Sequence, residues 1–176
     1  MSNNLLIVGA GMYAVLASEI AADMGCFDAI DFVDDVAQET PTGQKVVGTT
    51  KDIRKLAEHY RNMIVAIGNP DVRLSLLETI KNETSCDLVS LVSPKAYVAP
   101  SARVMAGCII EPMAVVHTAC VISRGCIISA GAVINHGSVC SEGVHVDCNA
   151  TVKGYCAVPA KIKICSGQVY AGENMN

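Results

Sequence analysis

Two histidines are placed to do chemistry, His136 and His145, nine positions apart. An imidazole that titrates near neutrality can take the proton from an amine or hydroxyl as it attacks a carbonyl, which makes His136 the candidate general base. Gly154 follows His136 by eighteen positions and brings no side chain to its place. A second group lies far upstream. In Gly9-Ala10-Gly11 the glycines let a backbone approach a phosphate, at the start of a helix whose N-terminus attracts anions. Asp34 and Asp35 are carboxylates able to bind a ribose or the edge of a base, and Gly68-Asn69 would close the same pocket.

The upstream group needs a parallel sheet to hold it. Residues 5–8 read Leu-Leu-Ile-Val, the continuous apolar run of a strand buried on both faces. Val15 to Met24 has helical patterning that Gly25 ends. Ile30 to Val33 is a second strand, closing on the two aspartates. Thr50, followed by Asp52 and Ile53, caps a helix expected to run to Tyr60. Met63 to Ile67 is a third strand, Asp71 to Glu83 a helix, and Leu88 to Val92 a last short strand. This alternation predicts a Rossmann-like α/β domain over residues 1–92.

The downstream group obeys a different rule. From Val98 to Tyr170 every sixth residue is Val or Ile, with only Cys140 and Tyr170 departing. Two positions before most of them sits a small residue, such as Ala102, Cys108, Ala114, Cys120 or Ser138. Neither a helix, of period 3.6, nor a hairpin sheet, of period 2, yields this repeat. It predicts a β-solenoid over residues 93–176, three sides to a coil of eighteen residues, with aliphatic side chains on the axis and small ones near the corners. Gly107, Gly125, Gly131, Gly137, Gly143 and Gly167 share one position of the repeat, where the turn calls for a positive φ. His136 and His145 stand half a coil apart, so within one chain they belong to different sides, and they could converge only across a subunit interface.

Composition narrows the alternatives. A net charge of −4 without a basic cluster speaks against nucleic acid. Seven of the nine cysteines lie between Cys108 and Cys165, mostly where a small apolar residue is wanted. An odd count with no secretory leader points to free thiols and a cytoplasmic location rather than a disulfide scaffold. No CxxC pair is present, and no metal is expected. The apolar stretch from Val104 to Ile134 is interrupted by Glu111, His117, Arg124 and several glycines, which argues against a membrane span.

The chain resembles the bacterial hexapeptide-repeat sugar O- and N-acetyltransferases, of the sialic acid O-acetyltransferase and UDP-4-amino-sugar acetyltransferase type. The resemblance is carried by the repeat together with Leu6-Ile7-Val8-Gly9-Ala10-Gly11, Phe32-Val33-Asp34-Asp35, Val65-Ala66-Ile67-Gly68-Asn69, Val133-Ile134-Asn135-His136 and Val144-His145-Val146. It implies a left-handed β-helix, a homotrimer with sites between subunits, acetyl-CoA as acyl donor and a nucleotide-linked sugar as acceptor. By the same resemblance His136 is the general base, His145 contacts the acyl donor, Gly154 leaves room for the pantetheine arm, and Gly9, Ala10, Gly11, Asp34, Asp35, Gly68 and Asn69 bind the nucleotide-sugar.

Three departures stand out. The family places an acidic residue directly after the base, and this chain has Gly137; a neighbouring subunit's Glu142 or Asp147 could substitute. An Asn of one branch is Ser129 here. Val158-Pro159-Ala160-Lys161 resembles a segment that helps hold coenzyme A, but falls inside the repeat. These departures motivate an alternative, a trimeric scaffold that binds nucleotide-sugars without catalysis. An NAD oxidoreductase is the weaker alternative, since the first domain is too short for both Rossmann halves.

Overall fold

The structure is a computed structural model and describes residues 2–172. The chain divides into two compact units, Met1–Leu91 and Val92–Asn176. No helix among the described residues is long and apolar enough to cross a membrane.

The first unit is a five-stranded parallel sheet flanked by helices. Strands β1 (Leu5–Val8), β2 (Ile30–Val33), β3 (Val46–Gly48), β4 (Asn62–Val65) and β5 (Asp87–Leu88) lie in the order β3-β2-β1-β4-β5. All four residues of β1 and of β4 are buried, as the continuous apolar run of β1 requires of a central strand. Helix α1 (Met12–Met24) starts three residues earlier than its patterning suggests and ends at Gly25, whose φ of 64° closes the last turn. Helix α3 (Pro70–Glu83) begins with Asn69 as its cap: the side-chain Oδ1 accepts from the N–H groups of Asp71 and Val72.

The segment after Thr50 differs from expectation. The cap is Thr49, which closes a reciprocal box with Asp52 around the single 3₁₀ turn Thr50–Asp52, and the α-helix that follows, α2 (Ile53–Leu56), is one turn long. Thr50 instead turns its N–H and hydroxyl to Asp35. The expected strand Leu88 to Val92 is two pieces, β5 in this sheet and Leu91–Val92 in a solenoid sheet. Strand β3 was not foreseen, being three residues at the sheet edge with no run of buried side chains.

The second unit is a parallel β-helix with a two-residue strand every six residues. Strands pair with the strand eighteen positions on, as in Tyr97↔Val115↔Val133↔Thr151↔Val169 on one side. The other sides are built from Arg103↔Val121↔Val139↔Ala157 and from Ile109↔Ile127↔His145↔Lys163. Ile110, Val116, Ile122, Ile128, Ile134, Cys140, Val146, Val152 and Val158 fill the axis with no exposed surface, and the small residues Cys108, Ala114, Cys120, Cys126, Ala132, Ser138, Ala150 and Cys156 are equally buried.

The interior thiols do more than fit. Cys108 donates to the carbonyl of Ser123, Cys120 to that of Asn135 and Cys126 to that of Ser141, while the Ser138 hydroxyl donates to the carbonyl of Lys153. Each acceptor lies fifteen positions after its donor, at a corner of the next coil, where strand pairing leaves a carbonyl uncovered. Burial pushes the Cys140 thiol up to about 12, away from thiolate chemistry.

From Gly107 to Gly167 the glycine position of the repeat carries a positive φ in every hexad, and not only at glycine. Met113, Ala119, Asn149, Tyr155 and Lys161 adopt values from 56° to 64° there. A left-handed conformation costs a non-glycine residue about 1–2 kcal/mol, against which glycine's extra freedom in the unfolded chain counts for about 0.5–1 kcal/mol. Ala119→Gly is therefore expected to raise stability by roughly 0.5–1 kcal/mol and Tm by about 2 °C, read from a thermal melt.

Candidate active site

In the first unit, the carboxyl ends of β1, β2 and β4 open onto a cleft of about 590 Å³ lined by Gly9, Asp34, Asp35, Thr50, Asp71 and Ser75 among others. Ligands of open parallel sheets bind at such strand ends, beside the point where the strand order reverses, here between β1 and β4. Gly9 is required by its surroundings. Its φ is 112°, and a Cβ there would lie 3.0 Å from the carbonyl oxygen of Ala66.

The two aspartates have distinct partners. Asp34 Oδ2 accepts from the N–H of Ala10 at 2.9 Å, and Oδ1 accepts from Val36 and Ala37. Burial pushes this carboxyl up, but the three donors outweigh it and hold the group below the ordinary carboxylate range. Asp34 thereby ties the glycine loop to the end of β2. Asp35 accepts from the N–H and hydroxyl of Thr50, across the mouth of the cleft.

Gly11 is the cap of α1. Asn69 is spent on capping α3, and the carbonyl of Gly68 accepts from the buried Arg73, so the cleft wall at this strand end is made by Ile67, Asp71, Val72 and Ser75 instead. Sequence patterning does not single out Asp71, Val72 and Ser75, because they come from the exposed first turns of a helix whose buried face carries the periodic signal.

In the second unit, His136 is exposed on the turn between Val133–Ile134 and Val139–Cys140. The solenoid stacks Gly154 directly above it. A Cβ on Gly154 would lie 3.0 Å from His136 Nε2 and 3.2 Å from Cε1, so the imidazole itself fills the space that the glycine leaves. The ring of Tyr155 meets His136 edge-on, with centroids 5.0 Å apart and planes at 84°.

Tyr155 also accounts for Gly137. A Cβ at position 137 would come within 2.7 Å of the tyrosine ring, so the ring in this place leaves no room for a side chain there. Tyr155 holds a φ of 58°, a conformation that disfavours a bulky residue, and its strain falls at the point where its ring braces the imidazole. Glu142 pairs with Arg124 at 3.3 Å.

His145 opens a strand on another side of the solenoid, so it and His136 are not brought together within the chain. Its Nε2 lies 3.1 Å from the hydroxyl of Ser129, which donates to Oε1 of the buried Glu111 at 3.1 Å. Asp147 Oδ1 is 3.8 Å from the same nitrogen, and Asp147 Oδ2 meets Lys163 at 3.0 Å. In the sequence Glu111 stands out only as an interruption of an apolar stretch; the eighteen-residue stacking puts it beneath Ser129 and Asp147.

Burial pushes the Asp147 carboxyl up, yet the N–H of Cys148, the Lys163 ammonium, Ser166 and His145 together bring it down to about 2. A carboxyl depressed on folding stabilises the native state above its unfolded value and ceases to do so as pH falls through the folded one. Acid melts should therefore show a loss of Tm between about pH 4 and pH 2 that is smaller in Asp147→Asn, whose melting at pH 7 should already be lower.

Among the described residues no group of three or more His, Cys, Asp or Glu is placed to hold a metal ion.

Comparison with known proteins agrees with this architecture. Residues 4–80 match the family of the PglD N-terminal domain. No curated protein matches the chain by sequence. Among solved structures, the acetyltransferase domain of PglB from Neisseria gonorrhoeae, in complex with acetyl coenzyme A, superposes with a TM-score of 0.91 at 28% identity, covering 96% of this chain and 82% of that one. A histidine variant of perosamine N-acetyltransferase from Caulobacter crescentus, in complex with CoA and GDP-perosamine, shares the fold with a TM-score of 0.79 at 23% identity, covering 97% and 90%. An α/β sheet in Rossmann-like order followed by a left-handed β-helix, with residues 4–80 matching the family of the PglD N-terminal domain, gives this chain the architecture of the PglB acetyltransferase domain.

Proposed function

We propose that the chain transfers the acetyl group of acetyl-CoA to an amine or hydroxyl of a nucleotide-linked sugar, with His136 as general base. The observation that carries this is the setting of His136: an exposed imidazole braced by the edge of Tyr155 and seated over Gly154, with no side-chain hydrogen bond to its ring among the described residues. In the solved relatives, acetyl coenzyme A is bound by the PglB domain, and CoA with GDP-perosamine by the perosamine N-acetyltransferase.

In this reading residues 1–92 hold the nucleotide-sugar. Gly9, Ala10 and Gly11 form the loop beneath it, and Asp35, Asp71 and Ser75 offer acceptors for base N–H groups or ribose hydroxyls. Asp34 acts on the loop rather than on the ligand. Gly68 and Asn69 shape the strand end that carries the α3 wall. Residues 93–176 carry the transfer. The acceptor nitrogen or oxygen gives its proton to His136 as it bonds to the thioester carbonyl carbon. The tetrahedral intermediate then expels the coenzyme A thiolate, which takes the proton back from the imidazolium, and no acyl-enzyme forms.

His145 contacts the donor. It lies on a different side of the solenoid from His136, so the two meet only if the next subunit brings its His145 beside this His136, and a three-sided solenoid suits a homotrimer with three such seams. Gly154 serves the donor arm indirectly, through the seating of the imidazole. The free thiols suit a cytoplasmic enzyme.

His136→Ala should lower acetyl-CoA turnover with a nucleotide-linked amino sugar by about 10²–10⁴-fold at unchanged Tm and oligomeric state. Full activity in this variant would remove the assigned base. Gly154→Ala, which meets no backbone strain, should displace the imidazole and lower kcat by about tenfold or more while the protein still folds. A kcat equal to the parent's would show that the seating over Gly154 is idle.

A further inference from the structure

We propose that Glu111 is a positioning residue for His145, fixing the tautomer of its imidazole through the hydroxyl of Ser129. The inference rests on the reading of His145 as the residue that meets the acyl donor, but its chemistry is independent of that reading.

The direction of the hydrogen bonds follows from a proton count. Glu111 is 4% exposed; its Oε2 accepts from the N–H of Ala130 at 2.9 Å, and its Oε1 accepts from the Ser129 hydroxyl at 3.1 Å. A carboxylate that takes a backbone N–H and a hydroxyl is favoured in its ionised form, in which it only accepts. Ser129 has a single hydroxyl proton, and it points to Glu111. The serine oxygen, 3.1 Å from His145 Nε2, can then only accept from that nitrogen. The proton of a neutral His145 thus sits on Nε2, and the lone pair is on Nδ1.

The remaining charges agree. Asp147, with Oδ1 at 3.8 Å from Nε2, favours a proton on the same nitrogen, and Lys163 takes the other oxygen of Asp147 at 3.0 Å. The Cys148 thiol, raised by burial and by the two carboxylates, carries no charge near neutrality. The reverse chain, a protonated Glu111 donating to Ser129 and Ser129 to an unprotonated Nε2, would set the lone pair of that nitrogen towards Asp147 and is disfavoured on that account.

This differs from a general packing role. Glu111 is buried at a solenoid corner whose neighbouring positions in the same column are Ser93, Ser129, Asp147 and Cys165. A carboxylate there is costly to bury and serves no fold-wide pattern of the repeat. Its cost is intelligible if it acts on the imidazole one step away.

The test is nitrogen-15 NMR of the histidine rings in the full-length chain above pH 8, with His145→Gln to assign the signal. The parent should show His145 as a single Nε2–H tautomer. Ser129→Thr, which keeps the hydroxyl, should preserve it; Ser129→Ala and Glu111→Gln should give a tautomer mixture, and in Glu111→Gln the His145 titration should move to lower pH. In turnover, Glu111→Gln should raise KM for acetyl-CoA by about tenfold and leave KM for the sugar unchanged. A parent protonated on Nδ1, or one unchanged tautomer across Ser129→Ala and Glu111→Gln, would overturn the proposal. Should Glu111→Gln fail to fold, Ser129→Ala against Ser129→Thr decides it alone. A parent with the expected tautomer but no acetyl transfer would sink the proposed reaction and leave the role of Glu111 standing.

Discussion

The stacking of each coil on the one before it, strand on strand at an interval of eighteen residues, is the constraint on which the second unit depends. Parallel pairing satisfies the backbone of every side at once, and it places residues distant in sequence in vertical columns. Gly154 above His136, and Ser129 and Asp147 above Glu111, are consequences of that interval and not of local sequence. Moving any of these residues by one position would leave the fold's chemistry unassembled even though each side chain was still present.

The interior shows how little side-chain variety such a stack needs. Val, Ile and small residues fill it, and the low aromatic content follows from a core too narrow for rings. Cysteine recurs because it is small and apolar enough for the corner and still carries a weak donor for a carbonyl of the next coil. Ser138 does the same with a stronger one. The first unit is organised differently: its sheet is covered by helices, and its cleft is bounded by strand ends and by the exposed start of a helix, held in place through Asp34 and Asp35.

Legibility in the sequence tracked periodicity. The period of six was visible over more than ten repeats, and the buried side chains follow it from Cys108 to Ile164. The buried strand β1 was equally plain, because its run is apolar without interruption. Short irregular pieces were not. Strand β3 has one exposed residue of three, and the helix expected from Thr50 to Tyr60 is a 3₁₀ turn followed by a single α turn that ends at Leu56, its start fixed by the Thr49 cap and by the bond from Thr50 to Asp35. His136 and Gly154 draw notice by type and spacing and His145 by the resemblance of its motif, but the brace from Tyr155 and the contact of Ser129 with Glu111 are invisible in the sequence, since both arise between coils. Asn69 caps the helix that supplies the cleft wall, a local role that its type allows but its place in the motif does not reveal.

The strand interval and the pairing interval are different numbers, six and eighteen, and length changes in the coils therefore divide into two kinds. Removing or adding six residues hands every later strand to the adjacent side, with inward and outward positions conserved, so the core survives. The columns do not: Gly154 would no longer sit over His136, nor Asp147 over Ser129. Only whole coils can be gained or lost without scrambling what the corners present. Variation in length among such chains should thus be quantised in coils wherever the chemistry is kept, and in single sides where only the scaffold is.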